Sequence, residues 1–198
     1  MNKANLRQHR ILAIAPSTRG FGFAILEGQD TLADWGVKTI TGDKNTNAVT
    51  KVKELVTHYR PDVMVLEDTG TKDSGRSPRI QALTRRILIV AKARKIWAAL
   101  FSQKEMRRIF FAGGRGTKHA LAEILARRFP EELASRLPPK RRPWMSEDYR
   151  VDIFNAVALA VALRLKRPKR TDYHAGRLRN RPGESSRVLS AFPRRSNE

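Results

Sequence analysis

Four side chains in this sequence share one chemistry. Glu67 closes a short apolar run, Asp62-Val63-Met64-Val65-Leu66-Glu67, and Asp148, Asp152 and Asn155 follow at i, i+4 and i+7 in a segment that reads as a helix from about Ser146 to Leu165. At about 100° per residue this spacing puts the last three on one narrow face. Phe154, Val157, Val161 and Leu165 then form an apolar stripe on the opposite side. Oxygen ligands aimed from a helix face at a strand end are how a hard cation such as Mg²⁺ is assembled, with Glu67, Asp148 and Asp152 as its ligands. Two such ions, roughly 3.5–4 Å apart, activate water and stabilise the leaving oxygen in phosphodiester cleavage. Plainer roles stay open: Asp148 serving the helix dipole, Asp152 pairing with a nearby arginine, Glu67 as a solvated strand end.

The elements that must position these groups begin with Arg10 to Glu27. Ile11, Leu12 and Ile14 read as a short buried strand, Ser17, Thr18 and Arg19 as a polar turn, and Phe21, Phe23 and Ile25 as a second strand, together a hairpin. Its turn offers hydroxyls, amides and a guanidinium to a phosphate or polyanion. A third strand is expected from Leu32 to Ile40, after which Ala48, Val49, Val52, Leu55, Val56 and Tyr59 repeat at helical spacing and stop before Pro61. The run ending in Glu67 is a strand buried on both faces. A Gly, Ser and Thr-rich loop from Asp68 to Pro78 leads into a helix marked by Ile80, Leu83, Ile87 and Val90, which also carries Arg79, Arg85 and Arg86. Residues 96–101 read as a fifth strand, 103–111 as a helix, Gly113 to Gly116 as a basic loop, and Thr117 as the cap of a helix through Phe129. Pro138 to Pro143 is a stiff basic connector, and Ser146 is the expected cap of the last helix, with Glu147 and Asp148 in its first turn. The order of elements predicts an α/β chain with a mixed sheet.

Charge narrows the partners. The 198 residues carry 40 Lys and Arg against 19 Asp and Glu, a formal net charge of +21, so a polyanion is the natural partner. From Arg167 onward, nine basic residues face three acidic ones and apolar periodicity is lost, which reads as a flexible basic extension, 167–198, on a domain of residues 1–166. The domain itself remains basic. No apolar run approaches the roughly 18 residues of a membrane span, the N-terminal apolar segment is too short for a signal peptide, and there is no cysteine. A cytoplasmic protein that does not engage membranes is the expectation.

Four segments, ILAIAPSTRGFGFAIL, VMVLE, SQKEMRRIFFAGGRGTKHALAEIL and DIFNAVALAVAL, resemble in that order the corresponding parts of RuvC-type Holliday junction resolvases. The resemblance covers roughly residues 10–165. It implies a ribonuclease H-like fold with a mixed five-stranded sheet flanked by helices, a homodimer, and cutting of branched DNA with two Mg²⁺ ions. Residue by residue, it aligns Glu67 with the family's fourth-strand Glu, Asp152 with the first helix acid and Lys118 with the Lys of the basic segment. Two family positions differ: the first-strand Asp is Ala15, and the second helix acid is Asn155. Where resolvases often carry an aromatic three residues after the Glu, this chain has Gly70. Alanine offers no oxygen and Asn155 no charge, so a two-metal centre is short of ligands unless Asp148, Asp68 or Glu147 substitutes.

Three functions follow as expectations. One is a structure-selective endonuclease that binds branched or duplex DNA through Arg19, Arg76, Arg79, Arg85, Arg86, Arg115 and Lys118, inactive in this form if Ala15 disables the centre. The second is a non-catalytic DNA-binding relative, and the third a basic RNA-binding protein.

Overall fold

The computed structural model describes residues 9–28, 30–71, 74–142 and 144–165. The basic extension expected from residue 167 lies outside them. Strands β1 (Ile11–Pro16), β2 (Gly20–Glu27) and β3 (Thr31–Thr39) precede helix α1 (Lys44–Tyr59), strand β4 (Val63–Glu67), helix α2 (Pro78–Ala93) and strand β5 (Trp97–Phe101). Helices α3 (Gln103–Phe110), α4 (Lys118–Arg128), α5 (Pro130–Leu133) and α6 (Val151–Leu165) complete the described chain, with a 3₁₀ turn at Ala134–Arg136.

The five strands form one sheet in the order β3-β2-β1-β4-β5. β1 and β2, and β2 and β3, pair antiparallel, whereas β4 joins β1 and β5 joins β4 in parallel. The parallel steps need crossovers, and α1 and α2 supply them. Because side chains alternate along a strand, β1, β2, β4 and β5 each contribute to two cores, whereas β3 contributes to one. Leu12, Ile14, Phe21, Phe23, Ile25, Met64 and Leu66 pack with α1 and α2. Ile11, Ala13, Ala15, Ala24, Leu26, Val63, Val65, Ala99 and Phe101 pack on the other side with α4, α5 and α6.

Helix α6 differs from the expected amphipathic helix. Every residue from Val151 to Leu163 except Asp152 and Asn155 is buried, while Leu165 is half exposed. The apolar surface therefore wraps nearly the whole helix, with the sheet on one side and α4 on the other, instead of forming one stripe. Close packing depends on small residues beneath it. A Cβ at Gly22 would stand 2.0 Å from the Asp152 carbonyl oxygen, so the first turn of α6 rests directly on β2.

Its start also differs. α6 begins at Val151 and not near Ser146, because Asp148 draws the chain into a turn: its Oδ1 accepts the Arg150 N–H at 2.8 Å, and the Val151 N–H donates to its carbonyl at 3.1 Å. Asp148 thus lies outside the helix and does not share a helical face with Asp152 and Asn155.

Candidate functional site

Strand parity and register bring three positions together. Ile14 pairs with Leu66 and Ala15 with Gly22, so Ala15 and Glu67 lie side by side at the ends of β1 and β4, on the face covered by α6. Asp152, over Gly22, faces the same place. The expected convergence of Ala15, Glu67 and Asp152 is present, and Asn155 lies one turn further along α6. Asp148 belongs to the rim. Its carboxylate takes the Arg150 guanidinium at 2.7–3.2 Å, which holds it below the usual carboxylate range, with Arg19 assisting from the hairpin turn.

At the centre of the site is an arginine. Arg76 Nε donates to both Glu67 oxygens at 3.0 and 3.1 Å, Nη2 donates to Oε2, and Gln103 Nε2 donates to Oε1 at 2.9 Å. Glu67 is buried, so both its oxygens are satisfied by protein donors. Hydrogen bonding to Glu67 raises the affinity of the Arg76 guanidinium for its proton, and the nearby charges of Asp152 and Glu147 act in the same direction. The loop is built to hold this geometry: Gln81 Nε2 donates to the Arg76 carbonyl at 2.9 Å, Ser77 caps α2, and the Ser74 hydroxyl donates to the Thr69 carbonyl at 3.0 Å.

Asp152 has a different environment. Burial pushes its carboxyl up, as does Glu147, while Ser17, Lys118 and Arg76 pull it down. The Ser17 hydroxyl makes no hydrogen bond of good geometry, so its hold on Asp152 is weak. Lys118, in the first turn of α4, donates to Glu147.

These residues do not fit a pair of Mg²⁺ ions. Position 15 presents a methyl group, Asn155 carries no charge, Asp148 is paired on the rim, and Glu67 already has a cationic partner. Among the described residues, no group of three or more His, Asp or Glu is disposed to hold a metal.

The residues expected to contact nucleic acid divide into two sets. Arg76 and Arg79 serve the fold: Arg79 Nη2 donates to the Ser17 carbonyl at 2.8 Å, tying α2 to the hairpin turn. Arg19, Arg85, Arg86, Arg115 and Lys118 are exposed. Arg19 and Lys118 adjoin the acidic cluster through Asp148 and Glu147, Arg115 sits in the loop before α4, and Arg86 reaches Thr46 at the start of α1. Sequence reasoning did not find Gln103 or the inward turn of Arg76. The Ser102-Glu105 capping box is a local signal that fixes where Gln103 begins its helix, but nothing local pairs residues 67 and 76.

The sheet order, its parallel and antiparallel steps, and α6 across the central strands define a ribonuclease H-like fold. More particularly, it is the RuvC-like resolvase fold. The Thermus thermophilus RuvC structure matches with a TM-score of 0.56 at 14% identity, covering 77% of this chain and 92% of that one. T. thermophilus RuvC in complex with Holliday junction substrate matches at 0.59 and 13%, covering 80% and 94%. The yeast mitochondrial Holliday junction resolvase Ydc2 matches at 0.59 and 13%, covering 79% and 78%. No protein-family sequence model matches the chain, nor does any curated protein sequence.

Proposed function

We propose that this chain binds branched DNA on a resolvase-like fold and, with the residues it carries, does not cleave it. The single observation behind this reading is the Glu67–Arg76 pair beside Ala15. Where the resemblance calls for carboxylates around divalent cations, the chain has one carboxylate bound by its own guanidinium and a methyl group next to it. The fold of the structural neighbours, one of them in complex with a Holliday junction, supports DNA as the ligand, as does the net charge of +21.

In this reading Arg19, Arg115 and Lys118 take phosphates around the acidic cluster, with Arg85 and Arg86 extending the contact along α2. Arg76 neutralises Glu67 and keeps the strand end rigid. The test is binding of a four-way junction, a duplex and a structured RNA at several salt concentrations, with Mg²⁺ and Mn²⁺ cleavage assays on the unaltered chain and on Ala15→Asp/Arg76→Ala. Steeply salt-dependent binding, preference for the junction, and no cutting by the unaltered chain are expected. Cutting by the unaltered chain would overturn the non-catalytic reading, and preference for RNA would overturn DNA as the ligand.

A further inference from the structure

The connector before α6 holds a second feature, separate from the acidic cluster. Trp144 is 77% exposed and Tyr149 53%, and among the described residues no other Phe, Tyr or Trp is exposed. An exposed indole keeps its large apolar face and its N–H available to a ligand. The segment is also ordered by its own hydrogen bonds. Arg141 Nε donates to the Met145 carbonyl at 2.8 Å, and the Met145 N–H donates to the Arg142 carbonyl at 3.0 Å, which closes a turn beside Trp144.

The surroundings are cationic. Lys140, Arg141 and Arg142 are exposed, and the Arg142 guanidinium lies 5.8 Å from the centre of the Trp144 ring. An aromatic face flanked by positive charge is the arrangement that stacks a base while the charges hold the adjoining phosphates. It is also close in sequence to the acidic cluster. Trp144 lies three positions before Glu147, whose carboxylate is held by Lys118, so their Cα atoms are at most about 11 Å apart. DNA contacting Lys118 therefore passes near the segment that carries the indole.

We propose that Trp144, backed by Arg142, is a stacking site for unpaired bases of DNA. This rests on the DNA-binding reading above and adds to it a preference for strands whose bases are not in a duplex. The phosphate contacts supply affinity for any DNA, and the indole supplies the discrimination.

The test compares the unaltered chain with Trp144→Ala, Trp144→Phe and Lys140→Ala, using fluorescence anisotropy with a plain duplex, the same duplex containing a central bubble, and a single strand. Circular dichroism checks that each variant folds. Trp144→Ala is expected to weaken bubble and single-strand binding by about 5- to 150-fold and duplex binding by less than about 2-fold. Trp144→Phe should keep most of the preference, and Lys140→Ala should weaken all three substrates alike. A 2-aminopurine in the bubble should be quenched by the unaltered chain and not by Trp144→Ala. Equal losses on duplex and bubble, no loss on either, or quenching independent of Trp144 would overturn the stacking site alone. If the unaltered chain binds none of the three DNAs, the DNA-binding reading falls and takes this inference with it.

Discussion

Truncating Arg76 to alanine separates a cation built into the site from a surface arginine that happens to lie near Glu67. The change removes the three N–H···O contacts to a buried carboxylate and leaves only Gln103. Breaking a fully buried pair from one side costs about 3–5 kcal/mol. The Arg76 side chain is 24% exposed, so water partly replaces it and the cost falls to about 2–3 kcal/mol. For a domain of this size each kcal/mol moves Tm by about 2–4 °C, so a drop of about 4–12 °C is expected. Glu67→Gln in the same background should return more than half of it, because the unpaired charge is then gone. The cation itself can be replaced. In Ala15→Asp/Arg76→Ala, Mg²⁺ at ten times its dissociation constant should stabilise by about 1.4 kcal/mol, or about 3–6 °C, whereas the unaltered chain should show no such shift. Thermal melts followed by circular dichroism with and without Mg²⁺ measure all four proteins. An equal Mg²⁺ shift in the unaltered chain, or an Arg76→Ala melt within a degree of it, would refute the reasoning.

Other perturbations probe neighbouring parts of the site. Burial raises the Asp152 carboxyl, so the folded chain holds that proton more tightly than the unfolded one, and stability falls as pH rises through the folded value. Asp152→Asn should therefore raise Tm at pH 7 and make no difference near pH 3; melts at both pH values check this, and an equal gain at pH 3 would rule it out. Gly22→Ala forces a Cβ to within 2.0 Å of the Asp152 carbonyl oxygen and should cost about 2–3 kcal/mol, read as a lowered urea midpoint. Tyr59 donates its hydroxyl to Asp34, which with burial pushes it up to about 12, so its phenolate absorbance should rise about two pH units above that of an exposed tyrosine. The corresponding stability is present below about pH 10 and is lost as pH climbs toward 12; Tyr59→Phe should remove about 1 kcal/mol of it at neutral pH. Removing Arg115 or Lys118 should each lower the slope of log affinity against log salt by about 1 for every DNA tested, and an unchanged slope would exclude that residue as a phosphate contact.

The sheet was legible because its strands carry their own signals. β1 and β4 are nearly continuous apolar runs bounded by polar turns, and β2 alternates large with small residues; placing Ala15 beside Glu67 needed the family resemblance, and the β1–β4 register then puts the two on one face. The α6 boundary was not legible. Ser146 followed by two acids has the composition of a helix start, yet Asp148 bonds the Arg150 N–H and delays the helix to Val151. All-round burial of α6 could have been read from VDIFNAVALAVALRL, whose only polar side chains are Asp152, Asn155 and Arg164. The Arg76–Glu67 pair had no such trace. It spans a nine-residue loop without periodicity, and an arginine among Gly and Ser residues reads equally as solvent-facing or as a DNA contact. The four-residue α5 is too short to show a period.

The burial of α6 on every side also bears on how the chain is made. β1 is the second described element's partner and the middle strand of the sheet, yet the helix that covers it comes about 140 residues later. While synthesis proceeds, Ile11, Ala13, Val63 and Val65 have no cover on that face, and the small residues at positions 13, 15, 22 and 24 leave a smooth apolar trough. A nascent chain stopped before Leu165 would therefore expose a paired but half-covered sheet, a surface that invites chaperones or self-association. This face of the core therefore closes only once the chain has been made as far as α6.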